Sequence, residues 1–377
     1  MQIYTKFVAH NALWQHIHIN MEKDNSNLRI KDIARMAGVS EGTVDRVLHK
    51  RGDVSVKSMN AVNKVLNEFN YTPNILARSL ASKKIYRFIY LIPQNQPGDY
   101  WSTVEKGFEM AMPEFAGYNV TFEKACFNQY DVSSFNEEAA KLLLNLPDAV
   151  FIAPIFKDET LLLTNKLSEA GVLFSFIDSM VEEANFLSYY GQNSTLSGYI
   201  AAKFLVEQLK PNDSILVIRT KRKGAVSNQT KNRFQGFMNY LKENDLVSKF
   251  QLIEAELLDD NETSNKNLLQ KIFNENPNLH AAITFNSKVF RIAKKLEALN
   301  ISNIRLIGYD LLDENVSYLK KGVISLLLAQ RPEKQSYLSA KDMCKKLIFN
   351  QEVNRINYMP IDILIKENIE AFMHFSE

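Results

Sequence analysis

Residues 30–48, IKDIARMAGVSEGTVDRVL, decide how the rest of the chain is read. Ile30, Ile33, Ala34 and Ala37 recur at i, i+3, i+4 and i+7, the apolar stripe of one short helix. Gly38 can take the positive φ that stops such a helix, and Val39 continues the apolar contact. Ser40 then serves as N-cap for a second helix running to about Leu48. In that helix Val44, Val47 and Leu48 point inward, whereas Glu41, Gly42, Asp45, Arg46 and His49 point outward. A helix, a tight glycine turn and a second short helix with a polar outer face predict a helix-turn-helix. A third helix starts at Ser55, with Val62, Val65, Leu66 and Phe69 on its buried face.

Charge supports a division between this head and the remainder of the chain. Residues 29–84 hold eleven Lys/Arg against five Asp/Glu, a balance of +6. The leader, residues 1–28, is balanced, and the whole chain carries +2, so everything from Ile85 onward sums to −4. A small basic head on a mildly acidic body points to nucleic acid at one end; the bland alternative is a solvated lysine-rich face. Residues 71–84, YTPNILARSLASKK, open with Pro73, which forces an extended approach, and NILARSLA then spaces as a two-turn helix. Its edge of Leu76, Ala77 and Leu80 suits a twin copy or a DNA groove, and an ordinary interdomain linker fits the composition equally well.

From Tyr86 the pattern alternates short apolar runs with amphipathic stretches. RFIYLIP (87–93), YNVTFEKACF (118–127), DAVFIAPI (148–155) and VLFSFID (172–178) read as strands, with helical spacing near 101–115, 134–145 and 158–170. SILVIRT (214–220), FQLIEAEL (250–257), AAITFN (281–286) and IRLIGYD (304–310) form a second series separated by three more helices. ISLLLAQ (324–330), a helix after Pro332 and a short strand near 357–362 complete the chain. Two similar blocks of this kind predict two parallel α/β subdomains with a ligand cleft outside the strands' carboxyl ends. Asp178, Asn286, Asp310 and Gln330 fall at such ends. Each alone reads best as a cap or turn residue; four at equivalent points tip the balance toward a polar pocket.

These residues carry a family resemblance. Residues 30–84, with AGVS, TV-RVL, VS, Y-PN and ARSL in order, closely resemble the head of the lactose-repressor (LacI/GalR) family of transcription regulators. SYYGQNSTLSGYIAAKFL (188–205), NRFQGFMNYL (232–241), AAITFN and LIGYD resemble that family's effector domain, itself akin to periplasmic sugar-binding proteins. The resemblance implies an N-terminal helix-turn-helix head and hinge helix followed by a two-subdomain parallel α/β body. The boundaries expected are 1–28 for a disordered leader, 29–72 for the head, 73–84 for the hinge helix and 85–377 for effector binding and dimerisation. Within the body the N-subdomain takes about 85–190 and 324–350, and the C-subdomain about 191–323 and 351–377.

By position, the resemblance makes Glu41, Gly42 and Arg46 the base readers. It puts Ser40, Thr43 and Asn74 on the DNA backbone, and Ala77 with Leu80 in the minor groove. An Arg such as Arg46 can meet guanine O6 and N7 with two hydrogen bonds. Asp45 stands where the family usually has serine, and an ionised carboxylate there cannot donate to a phosphate oxygen. In the body the resemblance implies a ligand set of Arg233, Asp178, Asn286 and Asp310, with Gln330 at a matching strand end and Tyr100–Trp101 where a ligand face packs. Trp101 fits helix core equally well. Gln192 replaces a usual acid, and Ser287 a frequent Asp. With Arg219, Lys221, Arg222, Lys223 and Arg233 these changes would suit an anionic sugar such as a uronate, unless RTKRKG is a solvated loop.

The expected function is that of a cytoplasmic, nucleoid-associated repressor. It would be a homodimer reading a palindromic operator, with a small effector, a sugar or sugar derivative, in the cleft. A solute-binding protein without a DNA role is the alternative; it predicts export, and residues 1–20 lack the basic start, apolar core and cleavage site of a secretory signal. An enzyme on this fold would need a constellation such as an acid–base pair of Asp178 and Asp310, yet GxGxxG, GxxxxGK[ST] and GxSxG do not occur. No cofactor, metal or membrane is expected: Cys126 and Cys344 form no CxxC, the histidines no ligand cluster, and no apolar run nears ~18 residues. Met21 reads as a natural start, and without a leucine heptad at the end a dimer is expected rather than a tetramer.

Overall fold

The computed structural model describes residues 29–48, 52–69, 84–221, 227–258 and 262–374. The leader, His49, the hinge segment with Asn74, Ala77 and Leu80, and Arg222 and Lys223 lie outside the described residues. The chain divides into two compact units, residues 1–78 and 79–377.

In the head, α1 (Ile30–Ala37) ends on Gly38 at φ 65°. The Val39 N–H donates to Ala34 O at 3.0 Å and the Gly38 N–H to Arg35 O at 3.4 Å, the paired bonds that a left-handed residue permits after a helix. Ser40 caps α2 (Glu41–Leu48), its Oγ accepting from the Thr43 N–H at 3.2 Å. Ser55 caps α3 (Val56–Glu68) in the same way through the Ser58 N–H. Ile33, Ala34, Val44, Val62 and Val65 form the buried core, with Val47, Leu48, Leu66 and Phe69 packed on it.

The body has two lobes. The first contains β1 (Tyr86–Pro93), α4 (Tyr100–Phe115), β2 (Val120–Phe127), α5 (Val132–Leu144), β3 (Ala149–Ile152), α6 (Lys157–Glu169), β4 (Leu173–Asp178) and β5 (Tyr189–Gly191). The chain then builds the second lobe from α7 (Ser194–Val206), β6 (Ser214–Lys221), α8 (Asn228–Glu243), β7 (Gln251–Leu258), α9 (Glu262–Glu275), β8 (Leu279–Thr284), α10 (Phe290–Ala298), β9 (Arg305–Tyr309), α11 (Asp313–Lys320) and β10 (Leu326–Ala329). It returns to the first lobe through α12 (Pro332–Leu347) and β11 (Ile356–Tyr358), and ends in the second with β12 (Asp362–Leu364) and α13 (Ile369–His374). The sheet orders are β11-β5-β4-β3-β1-β2 and β12-β10-β9-β8-β6-β7. All pairs are parallel except β10–β12.

The two series of strands read from the sequence are these two sheets. The expected subdomain limits need correction at the returns. Residues 326–329 pair with β9 in the second sheet, and residues 356–358 with β5 in the first. The crossovers therefore fall at 192–193, 330–331 and 359–361. The single strand expected near 357–362 is two short strands, one in each sheet, because the chain changes lobe between them.

In the second lobe, Leu216 and Ile218 of β6 face one apolar cluster, and Ile215 and Val217 the other. A central parallel strand covered by helices on both faces has this near-continuous apolar character. Gln192 binds the crossovers together: its Nε2 donates to Ala329 O at 2.7 Å and to Pro360 O at 2.9 Å. An ionised carboxylate there could donate neither bond, so these contacts require the amide.

Helices α7 and α8 touch backbone to backbone through two glycines. A Cβ at Gly198 would meet Arg233 O at 1.8 Å, and one at Gly236 would meet Thr195 O at 1.8 Å. This contact seats the α8 turn that carries Arg233. Gly236→Ala is expected to lower unfolding free energy by about 1–3 kcal/mol, as overpacking does. A denaturant midpoint equal to that of the parent would show that the helices separate at no cost.

Candidate functional site

On α2, Glu41, Gly42 and Arg46 are exposed, Thr43 and Asp45 half-buried, and Val44 buried. Ser40 Oγ and Thr43 Oγ1 share a hydrogen bond of 2.9 Å, which ties both hydroxyls to the start of the helix. The expected base-reading residues thus share one surface, and the two expected backbone contacts sit together at its amino end.

Between the lobes, the sheet orders make β4 and β9 equivalent strands; Asp178 ends the first and Asp310 directly follows the second. Asp178 and Asp310 both have φ 69°, a left-handed conformation that Asp tolerates better than most residues. Both are buried, at 2% and 5% exposure. Tyr100 OH donates to Asp178 Oδ1 at 2.6 Å, and Gln229 Nε2 to the same oxygen at 2.8 Å. Gln330 Nε2 donates to Asp310 Oδ1 at 3.0 Å. Arg233 is fully buried, lies 3.9 Å over the Tyr309 ring, and donates NH1 to Phe285 O at 2.9 Å. Its Nε and NH2 find no partner among the described residues.

Burial pushes Asp310 from 3.8 up to about 6, against the downward pull of Arg233 and Gln330 and with a further push from Asp178. Burial also raises Asp178, despite donors on Tyr100, Gln229 and Gln330 and the charge of Arg233. The Tyr100 hydroxyl is driven well up by burial and then by the two carboxylates. The site therefore offers strong acceptors, unspent guanidinium donors and an aromatic wall.

A cavity of about 220 Å³ adjoins this cluster. Tyr100, Trp101 and Tyr130 from the first lobe and Asn286, Lys288 and Arg291 from the second are among its lining. Lys288 Nζ donates to Tyr130 OH at 2.9 Å across the cleft, and Asn228 Nδ2 to Met180 O at 2.8 Å.

Of the residues expected from the sequence, Tyr100, Asp178, Arg233, Asp310 and Gln330 come together in the buried cluster. Trp101 and Asn286 line the adjoining cavity; Trp101 is also packed at 7% exposure, and Asn286 Oδ1 caps a turn by accepting from the Lys288 N–H. Arg219 is paired with Glu254 at 3.1 Å and covers the Phe234 ring, which removes it from the cationic group invoked for a uronate. Gln229 and Gln335 were missed. Gln229 precedes Arg233 by four residues, one helical turn, so the periodicity around Arg233 could have found it. Among the described residues, no helix is long and apolar enough to cross a membrane, and no His/Cys/Asp/Glu group is placed to hold a metal.

A helix-turn-helix head and a two-lobed α/β body with a polar interlobe cleft define the class of bacterial regulators whose body is built like a periplasmic binding protein. The family described as bacterial regulatory proteins, lacI family, matches residues 29–74, and the periplasmic binding protein domain matches residues 89–351. The chain belongs to the lacI family of bacterial regulatory proteins. A Bacteroides fragilis crystal structure assigned to the LacI transcriptional regulators is 38% identical, covers 76% of this chain and 99% of its own, and superposes with a TM-score of 0.73. GanP, a glucose-galactose binding protein from Geobacillus stearothermophilus, shares the body fold at 20% identity and a TM-score of 0.66, over 76% of this chain and 99% of its own. Catabolite control protein A of Staphylococcus aureus is 41% identical over 80 residues, which is 21% of this chain and only about a quarter (24%) of that protein's length. The HTH-type transcriptional regulator RegA of Clostridium saccharobutylicum is 32% identical over 148 residues, 38% of this chain and 42% of its own.

The raised Asp310 has a consequence for stability. Folded, it keeps its proton up to about pH 6; unfolded, it loses it near 3.8. The stability this contributes is full below the lower value and lost as pH rises through the upper one. Melting temperature is therefore expected to fall between pH 4 and pH 6, and Asp310→Asn to flatten part of that fall. A pH profile unchanged by the substitution would remove Asp310 as its source.

Proposed function

We propose that the protein is a ligand-controlled, sequence-specific regulator of transcription that acts as a repressor. It binds a palindromic operator as a homodimer in the cytoplasm, on the nucleoid. The observation that carries this reading is one chain holding both a lacI-family head and a cleft of two mirrored buried aspartates around a partly unpartnered arginine.

The effector is a small polyol of the sugar class. Its hydroxyls donate to Asp178 and Asp310, its oxygens accept from Arg233 Nε and NH2, and Trp101 in the adjoining cavity supplies an apolar face. Fold neighbours described with D-arabinose or tagatose bound are compatible with this chemistry, although below 25% identity they speak for the fold alone. No catalytic role is proposed: every polar group of the cluster acts here in binding.

On α2, Arg46 reads guanine, and Glu41 reads cytosine by accepting from its N4 amine. Effector binding shifts the balance between open and closed lobes, and operator affinity follows by the difference in affinity the effector has for the two states.

With an operator selected from random DNA, log affinity is expected to fall steeply with log salt. Arg46→Ala should weaken that operator about 5- to 150-fold, the range of one bidentate base contact, and relax the choice at one base pair. A salt-independent affinity would sink the DNA role. In a thermal-shift panel of neutral sugars and sugar acids, one or more neutral sugars should raise the melting temperature, and Arg233→Lys should remove the rise. An undiminished rise in that variant would take Arg233 out of the site.

A further inference from the structure

Between the two aspartates runs a chain of two side-chain amides. The Asp178 backbone N–H donates to Gln335 Oε1 at 3.1 Å, Gln335 Nε2 donates to Gln330 Oε1 at 3.1 Å, and Gln330 Nε2 donates to Asp310 Oδ1 at 3.0 Å. Gln335 is fully buried and Gln330 nearly so, so a bond lost between them would leave a buried polar atom unpaired. An amide side chain keeps its shape when flipped, so only its partners fix which end is the donor. Here both ends of the chain are fixed. A backbone N–H can only donate, and an ionised carboxylate can only accept. The donor end of each glutamine is set by these two facts.

We infer that Gln335 is a positioning residue that sets the hydrogen-bond polarity of the cleft, holding the Gln330 amide so that it donates to Asp310. Gln335 acts through Gln330. With the Gln330 NH2 turned toward it, Asp310 stays an acceptor, and the effector must meet it with a donor. With the amide reversed, a carbonyl oxygen would face the carboxylate, and Asp310 would need its proton to remain. The chain also joins the lobes: Gln335 lies on α12, whose neighbours include α4, β4 and β5 of the first lobe, whereas Gln330 follows β10 of the second. The donor requirement at Asp310 is thus upheld from the opposite lobe. The functional meaning rests on the cleft being the effector site; the polarity itself does not.

Polarity is testable without effector, in the full-length protein at pH 8.5. Gln335→Glu places an acceptor at both contacts, so Gln330 must turn its NH2 to the new carboxylate and its oxygen to Asp310. A loss of melting temperature of about 3–6 °C is expected, the scale of one or two unmade buried hydrogen bonds. Adding Asp310→Asn supplies a donor to the reversed Gln330 oxygen and should recover at least half of that loss. Gln335→Met interrupts the chain without reversing it, and Asp310→Asn should recover distinctly less there. Recovery specific to the Glu background, and larger than Asp310→Ala gives there, supports the assignment: both substitutions relieve the repulsion between two buried carboxylates, but only Asn offers the reversed Gln330 oxygen a donor. No recovery, a double variant that does not fold, or equal recovery in the Met background or with Asp310→Ala overturns it. The sugar panel fails or succeeds separately, so an unliganded cleft and an incorrect polarity give different results.

Discussion

Two carboxylates withdrawn from water and facing a single guanidinium govern the body of this protein. Removing an ion from water costs several kcal/mol even after relaxation, so buried ions persist only with close donors. Tyr100, Gln229 and Gln330 supply those donors, yet both carboxyls remain harder to ionise than usual. Two negative groups face one positive one, and the imbalance bears on the effector. A uronate or phosphate would bring a further negative charge into the same desolvated space. A neutral polyol would bring donors with no charge, and its oxygens could accept from the Arg233 nitrogens that have no partner among the described residues. The main support for an anionic sugar was the run of cations at the end of β6, and Arg219 is already committed to Glu254.

Such a cluster is useful only if two separately folded lobes hold their halves in register. Arg233 is fixed by the glycine contact of α7 with α8, where nothing larger than hydrogen fits at either residue. The crossovers are fixed by Gln192, whose two donated bonds reach both other passages of the chain between lobes. Those bonds join the three passages of the chain between the lobes. The lobes also meet where Lys288 donates to Tyr130 and Asn228 to Met180 O. An effector would shift the balance between open and closed lobes only by its difference in affinity for the two arrangements.

The parts legible from sequence were those governed by periodicity and local stereochemistry. The head could be read to the residue at Gly38 and Ser40, and to within one residue at Ser55, which caps α3 and does not begin it, because caps and left-handed glycines are local events. The long strands could be read because a strand covered on both faces is continuously apolar. The short strand Tyr189–Gly191 and the placement of β10 and β11 were not legible. Three or four residues carry no period, and lobe membership depends on partners distant in sequence. Among the site residues, strand-end position singled out Asp178, Asp310 and Gln330, but it gave Asn286 equal weight, and Asn286 caps a turn at the cavity. Gln335 was invisible for the opposite reason. It lies within a helix, and its importance comes from what Gln330 and Asp178 require of it.

The acidic residues of α2 belong to the same economy of weak, directed contacts. Glu41 and Asp45 stand one turn apart near a surface that must approach a polyanion, so they reduce the general attraction that Arg46 and the rest of the basic head provide. A carboxylate is nonetheless welcome opposite cytosine N4, a donor in the major groove. On the proposed function, the pair would subtract from binding to any DNA while leaving room for gain at the right sequence, which would widen the ratio between the two. An allosteric coupling of about 1–3 kcal/mol changes affinity by only 5- to 150-fold. Such a change moves occupancy appreciably only where the operator complex is not already saturated. On the proposed function, a head restrained by its own carboxylates would keep the regulator in that range, where an effector in the cleft could decide the outcome.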